Sequence, residues 1–233
     1  MPALRRVGHK GADLIVPGNT LASFDAALEA GVDMIEFDVL PERGTGRLVL
    51  AHDYSTVRGE PPALEDGLAH FAQAAYDGVE LDVDLKLPGY EAAVVGALRE
   101  HGLIERSLVC SQYWKSILEL KAIEPALRVG WSVPRLRRDY TEHIVTRVPA
   151  VTIGLGYRRA LPGVAARRIR AGRCDAVMAH WRLVTPRLVR AVGGAGGDLY
   201  VWTVDDPEWI RRLSDLGVTG VITNDPRLFG SLG

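Results

Sequence analysis

The sequence predicts a single α/β domain of the (β/α)8, or TIM-barrel, class, on three observations. Short apolar, β-rich runs alternate with segments of helical period about eight times along the chain. Its 233 residues and 47% hydrophobic content suffice for one substantial core. No low-complexity stretch, domain linker or strong repeat interrupts the alternation, so residues 1–233 are expected to form one domain. An open doubly wound sheet is the alternative architecture.

The first expected strand is "ALRRVG" (3–8). A helix follows over "NTLASFDAALEAG", where Asn19 or Thr20 can cap, Leu21, Phe24, Ala27 and Leu28 share a face, and Gly31 stops it. Strands are then expected at 33–39, 79–86, 106–111 and 127–133, with a short extra one at 47–53. Residues 134–173 hold one or two helices plus a "VTIG" run that reads as a ninth strand or a loop. Three further strands are expected at 175–180, 199–204 and 220–224. "GGAGG" (193–197) is a connection before a strand and lacks the spacing of a dinucleotide loop. In "DDPEWIRRLSDLG", Asp206 caps, Pro207 takes the first helical position and Gly217 ends the helix.

With 28 basic and 29 acidic side chains the formal charge is −1, so no global field recruits nucleic acid or an anionic membrane. Any anionic partner must be caught locally. Two cysteines, Cys110 and Cys174, lie far apart, and the chain shows neither an apolar signal region nor a span of about 20 apolar residues. The expectation is a soluble, reduced, cytoplasmic protein with both thiols buried and unbridged, without stable membrane association. Oligomeric state has no signature.

Two strands carry chemistry. "IEFDV" places Glu36 and Asp38 on one face, roughly 7 Å apart along the chain, while Ile35, Phe37 and Val39 cover the other. In a barrel the apolar face packs on helices, which leaves both acids inside near the strand's C-terminal end, where such folds keep their sites. In the next long strand Glu80, Asp82, Asp84 and Lys86 alternate with apolar residues. A half-exposed antiparallel strand would look the same, but strands of a parallel sheet are ordinarily apolar on both faces, so two charged faces point to a site. Glu36, Asp38 and Asp84 form a set of oxygen donors suited to a hard ion, Mg2+ or Ca2+.

His9 ends the first strand and His52 follows "LVLA", which puts both at the same rim. Paired imidazoles can supply the base and the acid that displacement of an alcohol from phosphorus requires. His180, at the end of "DAVMAH", is a weaker candidate, and His70, His101 and His143 read as surface residues without acidic company. Lys10 and Lys86 would complete a local anion trap, although Lys86 could equally pair with Asp82 or Asp84.

The ordered set "HKG", "PGNT", "EFD", "HD", "VDLK", "YVWTVDD" and "GVTGVITNDP" resembles the glycerophosphodiester phosphodiesterase family, metal-dependent TIM-barrel enzymes that cut glycerophosphodiesters into glycerol 3-phosphate and an alcohol. The resemblance spans nearly the whole chain except 134–173. It implies that His9 and His52 take the acid and base places, without saying which takes which, and that Glu36, Asp38 and Asp84 hold the divalent cation. It gives Lys86 to phosphate and Trp202 to an aromatic wall beside the glycerol moiety, where core packing is the alternative for Trp202. Three positions depart from the family pattern. Lys10 stands in place of arginine, Gly18 in place of the glutamate of Pro-Glu-Asn-Thr, and Asp84 in place of a longer glutamate.

The implied partner is a small soluble phosphodiester, with the released alcohol unspecified. A barrel that binds phosphorylated ligands without turnover is the second reading, and a Schiff-base role for Lys86 the third.

Overall fold

The computed structural model describes residues 3–55, 59–134 and 144–232, with side chains described outside 144–155 and 231–232. Its strands are β1 (Arg5–Gly8), β2 (Met34–Pro41), β3 (Leu48–Leu50), β4 (Glu80–Leu85), β5 (Ser107–Ser111), β6 (Arg128–Val133), β7 (Ala176–His180), β8 (Asp198–Trp202) and β9 (Gly220–Thr223). Eight of them pair in parallel, and β1 bonds both β9 and β2, so the sheet closes into a barrel. β3 is the extra short strand and lies antiparallel on β2. The helices are α1 (Leu21–Glu29), α2 (Leu64–Phe71), α3 (Glu91–Glu100), α4 (Trp114–Ile123), α5 (Ile144–Arg170), α6 (Pro186–Gly193) and α7 (Pro207–Leu216).

Local chemistry sets the helix ends as expected. Thr20 caps α1, and Ser23 returns the bond in a reciprocal capping box. Asp206 accepts from the amides of Glu208 and Trp209, Pro207 opens α7, and Gly217 closes it in the left-handed conformation. The "VTIG" run is a correction: it is neither a strand nor a loop but lies inside α5. Its β-branched residues favour strand only weakly, and a helix tolerates them. Residues 135–143, including His143, lie outside the described residues.

The barrel wall alternates as the two-residue period of a strand demands. Ile35, Phe37 and Val39 of β2 join the outer core with helix residues. Phe24, Phe37 and Phe71 pack with ring centroids 4.6 to 5.7 Å apart, clamping α1 and α2 on the strand. Truncating Phe37 to alanine would cost about 3–5 kcal/mol and loosen both helices.

Inside, Val7, Met34, Leu108, Cys110, Met178 and Tyr200 form an apolar plug. Below it, at the N-terminal end of the strands, Glu80 pairs with Arg5 and Arg128, and Arg128 also reaches Asp198 at 3.2 Å. This ring closes the bottom, so open space lies at the C-terminal mouth. Cys110 and Cys174 are both buried and free, as expected.

Candidate active site

Strand register builds the acidic cluster. β2 and β4 run parallel with Glu36 beside Asp82 and Asp38 beside Asp84, all on the inward face. Glu36, Asp38 and Asp82 are 4%, 0% and 1% exposed, so these carboxyl groups have lost most of their water. Burial first, and then the neighbouring Asp38, push the Glu36 carboxyl well above its ordinary range. Asp38 goes the other way: burial acts to raise it, but the Lys86 ammonium and His52 overcome that and hold it well below. Asp82 is buried beside Glu36, with the Cys110 thiol as its hydrogen-bonding neighbour. Burial pushes its carboxyl up to about 7.

Lys86 sits between the acids. Its Nζ is 2.5 Å from Asp38 Oδ1 and also pairs with Asp84. The partners therefore include Asp84, as anticipated, but Asp38 replaces Asp82. The register explains this, since Asp38 stands beside Asp84 whereas Asp82 stands two residues earlier, beside Glu36. Burial acts to lower the ammonium, yet Asp38, Asp84 and Glu36 raise it well above its usual value. A lysine held as ammonium is in the wrong state to attack a carbonyl, which argues against a Schiff-base role.

Both histidines reach the rim with one nitrogen tied back. His9 Nδ1 is 2.5 Å from Asn224 Oδ1, and Asn224 Nδ2 donates to Asp205 Oδ2 at 2.7 Å. The Asp205 contact fixes the amide with its oxygen toward His9, so Nδ1 carries the proton and Nε2 is left for chemistry. Nε2 lies 3.8 Å from Glu36 Oε2. Burial, the largest influence, lowers the His9 pKa. His52 Nδ1 is 3.2 Å from Asp38 Oδ2, and its ring is 46% exposed. The two imidazoles thus flank the same carboxylates from the first strand and from the loop after β3.

A left-handed turn delivers Lys10. Lys10 (φ +50°) and Gly11 (φ +86°) both occupy this region, which is costly for lysine and free for glycine. The strain is held by Glu36, whose Oε2 accepts the Lys10 amide at 2.8 Å and whose carbonyl accepts the Gly11 amide at 3.1 Å. At Gly18 the reason for glycine is space. A Cβ there would lie 2.6 Å from Asp13 Oδ1 and 2.7 Å from Lys10 Cβ. Asp13 accepts the Gly18 amide at 2.8 Å and approaches Lys10 Nζ at 3.5 Å. An acid therefore does stand at this rim, supplied from five residues earlier.

Four positioning residues were not singled out from the sequence. Asn19 (φ +57°) donates from Nδ2 to Asp38 Oδ2 at 2.8 Å and accepts the Asp38 amide at 3.0 Å. In "PGNT" the sequence alone suggests only a cap for it. Asn224 and Asp205 follow strand ends, which is a usable signal, and Asp13 has none. His180 stands with its ring edge-on to that of Trp202, 5.2 Å between centres. His70 and His101 are far from the mouth but do have acidic company, Asp25 at 2.8 Å and Glu65 at 2.9 Å. Those pairs join separate helices and loops, so sequence proximity could not reveal them.

A cavity of about 800 Å³ opens above the cluster, lined among others by His9, Lys10, Glu36, His52, Lys86 and Trp202. Asp84 borders it too, while Asp38 lies beneath. Trp202 is anchored by its Nε1 donating to Met178 O at 3.0 Å, which fixes the indole as a wall of the cavity.

The donor set fits a hard divalent ion. One oxygen each of Glu36, Asp38 and Asp84 lies within 4.8 Å of the others, which a central ion about 2.1–2.6 Å from each oxygen can span. Asp84, though one methylene shorter than a glutamate, reaches the group. Lys86 pairs with Asp38 and Asp84, and the charge of a divalent ion would offset the burial and the repulsion from Asp38 that push the Glu36 carboxyl up.

The family model described as the glycerophosphoryl diester phosphodiesterase family matches residues 9–61 and 106–228. The match includes His9, Glu36, Asp38, His52 and Trp202 and passes over β4 with Asp84 and Lys86. Among curated relatives, a glycerophosphodiester phosphodiesterase of Caldanaerobacter subterraneus subsp. tengcongensis is 28% identical over 94% of this chain and 93% of its own. One of Bacillus subtilis is 24% identical over 96% and 84%. Among solved structures, a putative glycerophosphoryl diester phosphodiesterase of Silicibacter pomeroyi superposes with a TM-score of 0.79 at 22% identity, covering 100% of this chain and 94% of that one. An Oleispira antarctica phosphodiesterase, solved with the product sn-glycerol-3-phosphate, gives 0.75 at 21% identity, covering 99% and 96%. With the family model matching well over half of its length, the chain belongs to the glycerophosphoryl diester phosphodiesterase family.

Proposed function

We propose that residues 1–233 act as one domain that hydrolyses glycerophosphodiesters to glycerol 3-phosphate and an alcohol, with a divalent cation, Mg2+ or Ca2+, held by Glu36, Asp38 and Asp84. The observation that carries this reading is the convergence of those three carboxylates within 4.8 Å, flanked by His9 and His52. The cation would supply positive charge at a non-bridging phosphate oxygen. Lys86 and Lys10 add to that field from the cavity wall and orient the diester. The Nε2 atoms of His9 and His52 divide the two proton transfers: one takes the proton of the attacking hydroxyl, from water or from the substrate itself, and the other gives one to the departing alcohol oxygen. Asn224 and Asp38 hold each ring by its Nδ1 so that Nε2 faces the phosphate. Trp202 offers its face to the glycerol carbons.

A second reading, binding without turnover, draws on one feature: Asp13 beside Lys10 partly cancels a charge that phosphate would use. Turnover of a panel of glycerophosphodiesters, measured with and without chelator and in His9→Ala and His52→Ala, separates the two. Cleavage lost in EDTA and in both variants supports hydrolysis. Full activity under chelation overturns it, and tight cation-dependent binding with no turnover establishes the second reading.

A further inference from the structure

Two polar side chains of the mouth cavity stand outside the cation and proton chemistry. Gln112 and Ser132 both line it, both are partly exposed, and neither has a hydrogen-bond partner among the described residues.

Register sets them level with each other and with the site. β4 and β5 pair with Leu85 beside Ser111, β5 and β6 with Ser111 beside Trp131, and β6 and β7 with Ser132 beside Met178. One position beyond the first two pairs, Lys86, Gln112 and Ser132 follow one another around the wall, and the row ends at Met178. Trp202 is tied to that end, its Nε1 donating to the Met178 carbonyl at 3.0 Å. The row therefore runs from the lysine assigned to phosphate to the indole assigned to the glycerol carbons. All five residues border the cavity.

Strand alternation turns both side chains inward. Two residues earlier, Cys110 and Gly130 face the barrel interior, where a Cβ on Gly130 would lie 3.0 Å from that of Cys110. The bend that carries Gln112 is fixed by its neighbour: Ser111 Oγ donates to Leu85 O at 2.8 Å and accepts the Tyr113 amide at 3.2 Å.

Glutamine offers an amide oxygen and two N–H donors, and serine a hydroxyl that both donates and accepts. Neither carries charge. Such a pair matches neighbouring hydroxyl groups, which also donate and accept, better than it matches an ammonium or a phosphate. Water satisfies these groups in the free protein, so a ligand that displaces it must return the bonds or lose affinity.

We propose that Gln112 and Ser132 determine specificity for the glycerol moiety, hydrogen bonding to its hydroxyl groups while its carbons lie against Trp202. The assignment rests on the reading of the mouth as a glycerophosphodiester site.

The test compares two ligands by calorimetry in the presence of Mg2+ or Ca2+: sn-glycerol 3-phosphate, and propyl phosphate, which keeps the phosphate and the three-carbon chain but lacks both hydroxyls. The variant is Gln112→Met with Ser132→Ala, which nearly keeps the size of each side chain and removes its hydrogen-bonding atoms. The wild type should prefer glycerol 3-phosphate by about tenfold or more. In the variant that preference should shrink to about threefold or less, with propyl phosphate binding within about threefold of its wild-type affinity. A preference kept by the variant, or absent from the wild type, overturns the assignment. Equal weakening of both ligands overturns it too, since that is the mark of a structural role. A wild type that binds neither ligand and cleaves no glycerophosphodiester removes the reading of the mouth and this assignment with it, whereas cleavage together with an unchanged preference in the variant removes the assignment alone.

Discussion

Asn19 makes two bonds to Asp38 from a left-handed backbone position, so its replacement separates side-chain from backbone effects. Asn19→Gly keeps the φ of +57° at no steric cost and deletes both bonds. The bond to the ionised Asp38 carboxylate is worth about 1.5–3 kcal/mol, and leaving the buried Asp38 amide unmade costs roughly 1–3 kcal/mol. Part of that sum is recovered by relaxation and water. The net expectation is a loss of about 10- to 100-fold in divalent-cation affinity and in kcat/KM, the range seen when a group that orients a ligand is removed. Asn19→Ala should be worse by a further 1–2 kcal/mol or so in stability, because alanine pays the left-handed penalty as well. Cation titration calorimetry, steady-state kinetics and denaturant melts measure the three quantities. If Asn19→Gly stays within about twofold of the wild type in both affinity and kcat/KM, the reasoning that Asn19 aims Asp38 is refuted.

Lys86→Met leaves Asp38 buried beside Asp84 with no cation, so the protein should lose about 3–5 kcal/mol without metal, and added divalent ion should raise its Tm more than it raises that of the wild type; equal shifts would contradict the charge balance drawn here. Asp205→Ala frees the Asn224 amide that aligns His9 and should lower kcat/KM by about tenfold or more, whereas Asp205→Asn, which can still accept from Nδ2, should keep most of the activity; no loss in the alanine variant would show that His9 is aligned by other means. Asp33 accepts from Arg6 Nε, Nη2 and backbone N at 2.8 to 3.0 Å, and its carboxyl is held below its usual value, burial opposing and the Arg6 bonds prevailing. Because that folded-state pKa is depressed, the stabilisation is present above the unfolded value near 3.9 and is lost as pH falls through the folded one. Solvent screening at this partly exposed pair limits it to about 1 kcal/mol, so Asp33→Asn should lower stability at pH 7 and converge on the wild type in stronger acid. A difference that persists unchanged at low pH would count against the ion pair.

The barrel was legible because its strands write their two faces directly into the sequence. Ile35, Phe37 and Val39 face helices while Glu36 and Asp38 face inward, as alternation requires. The acidic cluster was readable for the same reason, as charges where a parallel strand should be apolar. In 134–173 a helix was legible but the "VTIG" run inside α5 was not, since its β-branched residues fit a strand as well. Register was equally hidden. Without knowing that Asp38 stands beside Asp84, nothing in "VDLK" says that Lys86 meets Asp38 rather than Asp82. The residues that aim the site were hardest to see, because they act across long separations: His9 and Asn224 are 215 positions apart. Asp13 took the place of an acid that the resemblance led one to seek at position 18, and only the space left by Gly18 reveals it.

The account turns on whether the barrel mouth binds a divalent ion through its three carboxylates. Calorimetric titration of Mg2+ or Ca2+ into the metal-stripped protein, alongside Glu36→Gln and Asp84→Asn, measures this without recourse to turnover. One ion per chain, with affinity reduced by about tenfold or more in each variant, is the predicted result. No saturable binding, or binding that both variants retain in full, would contradict it.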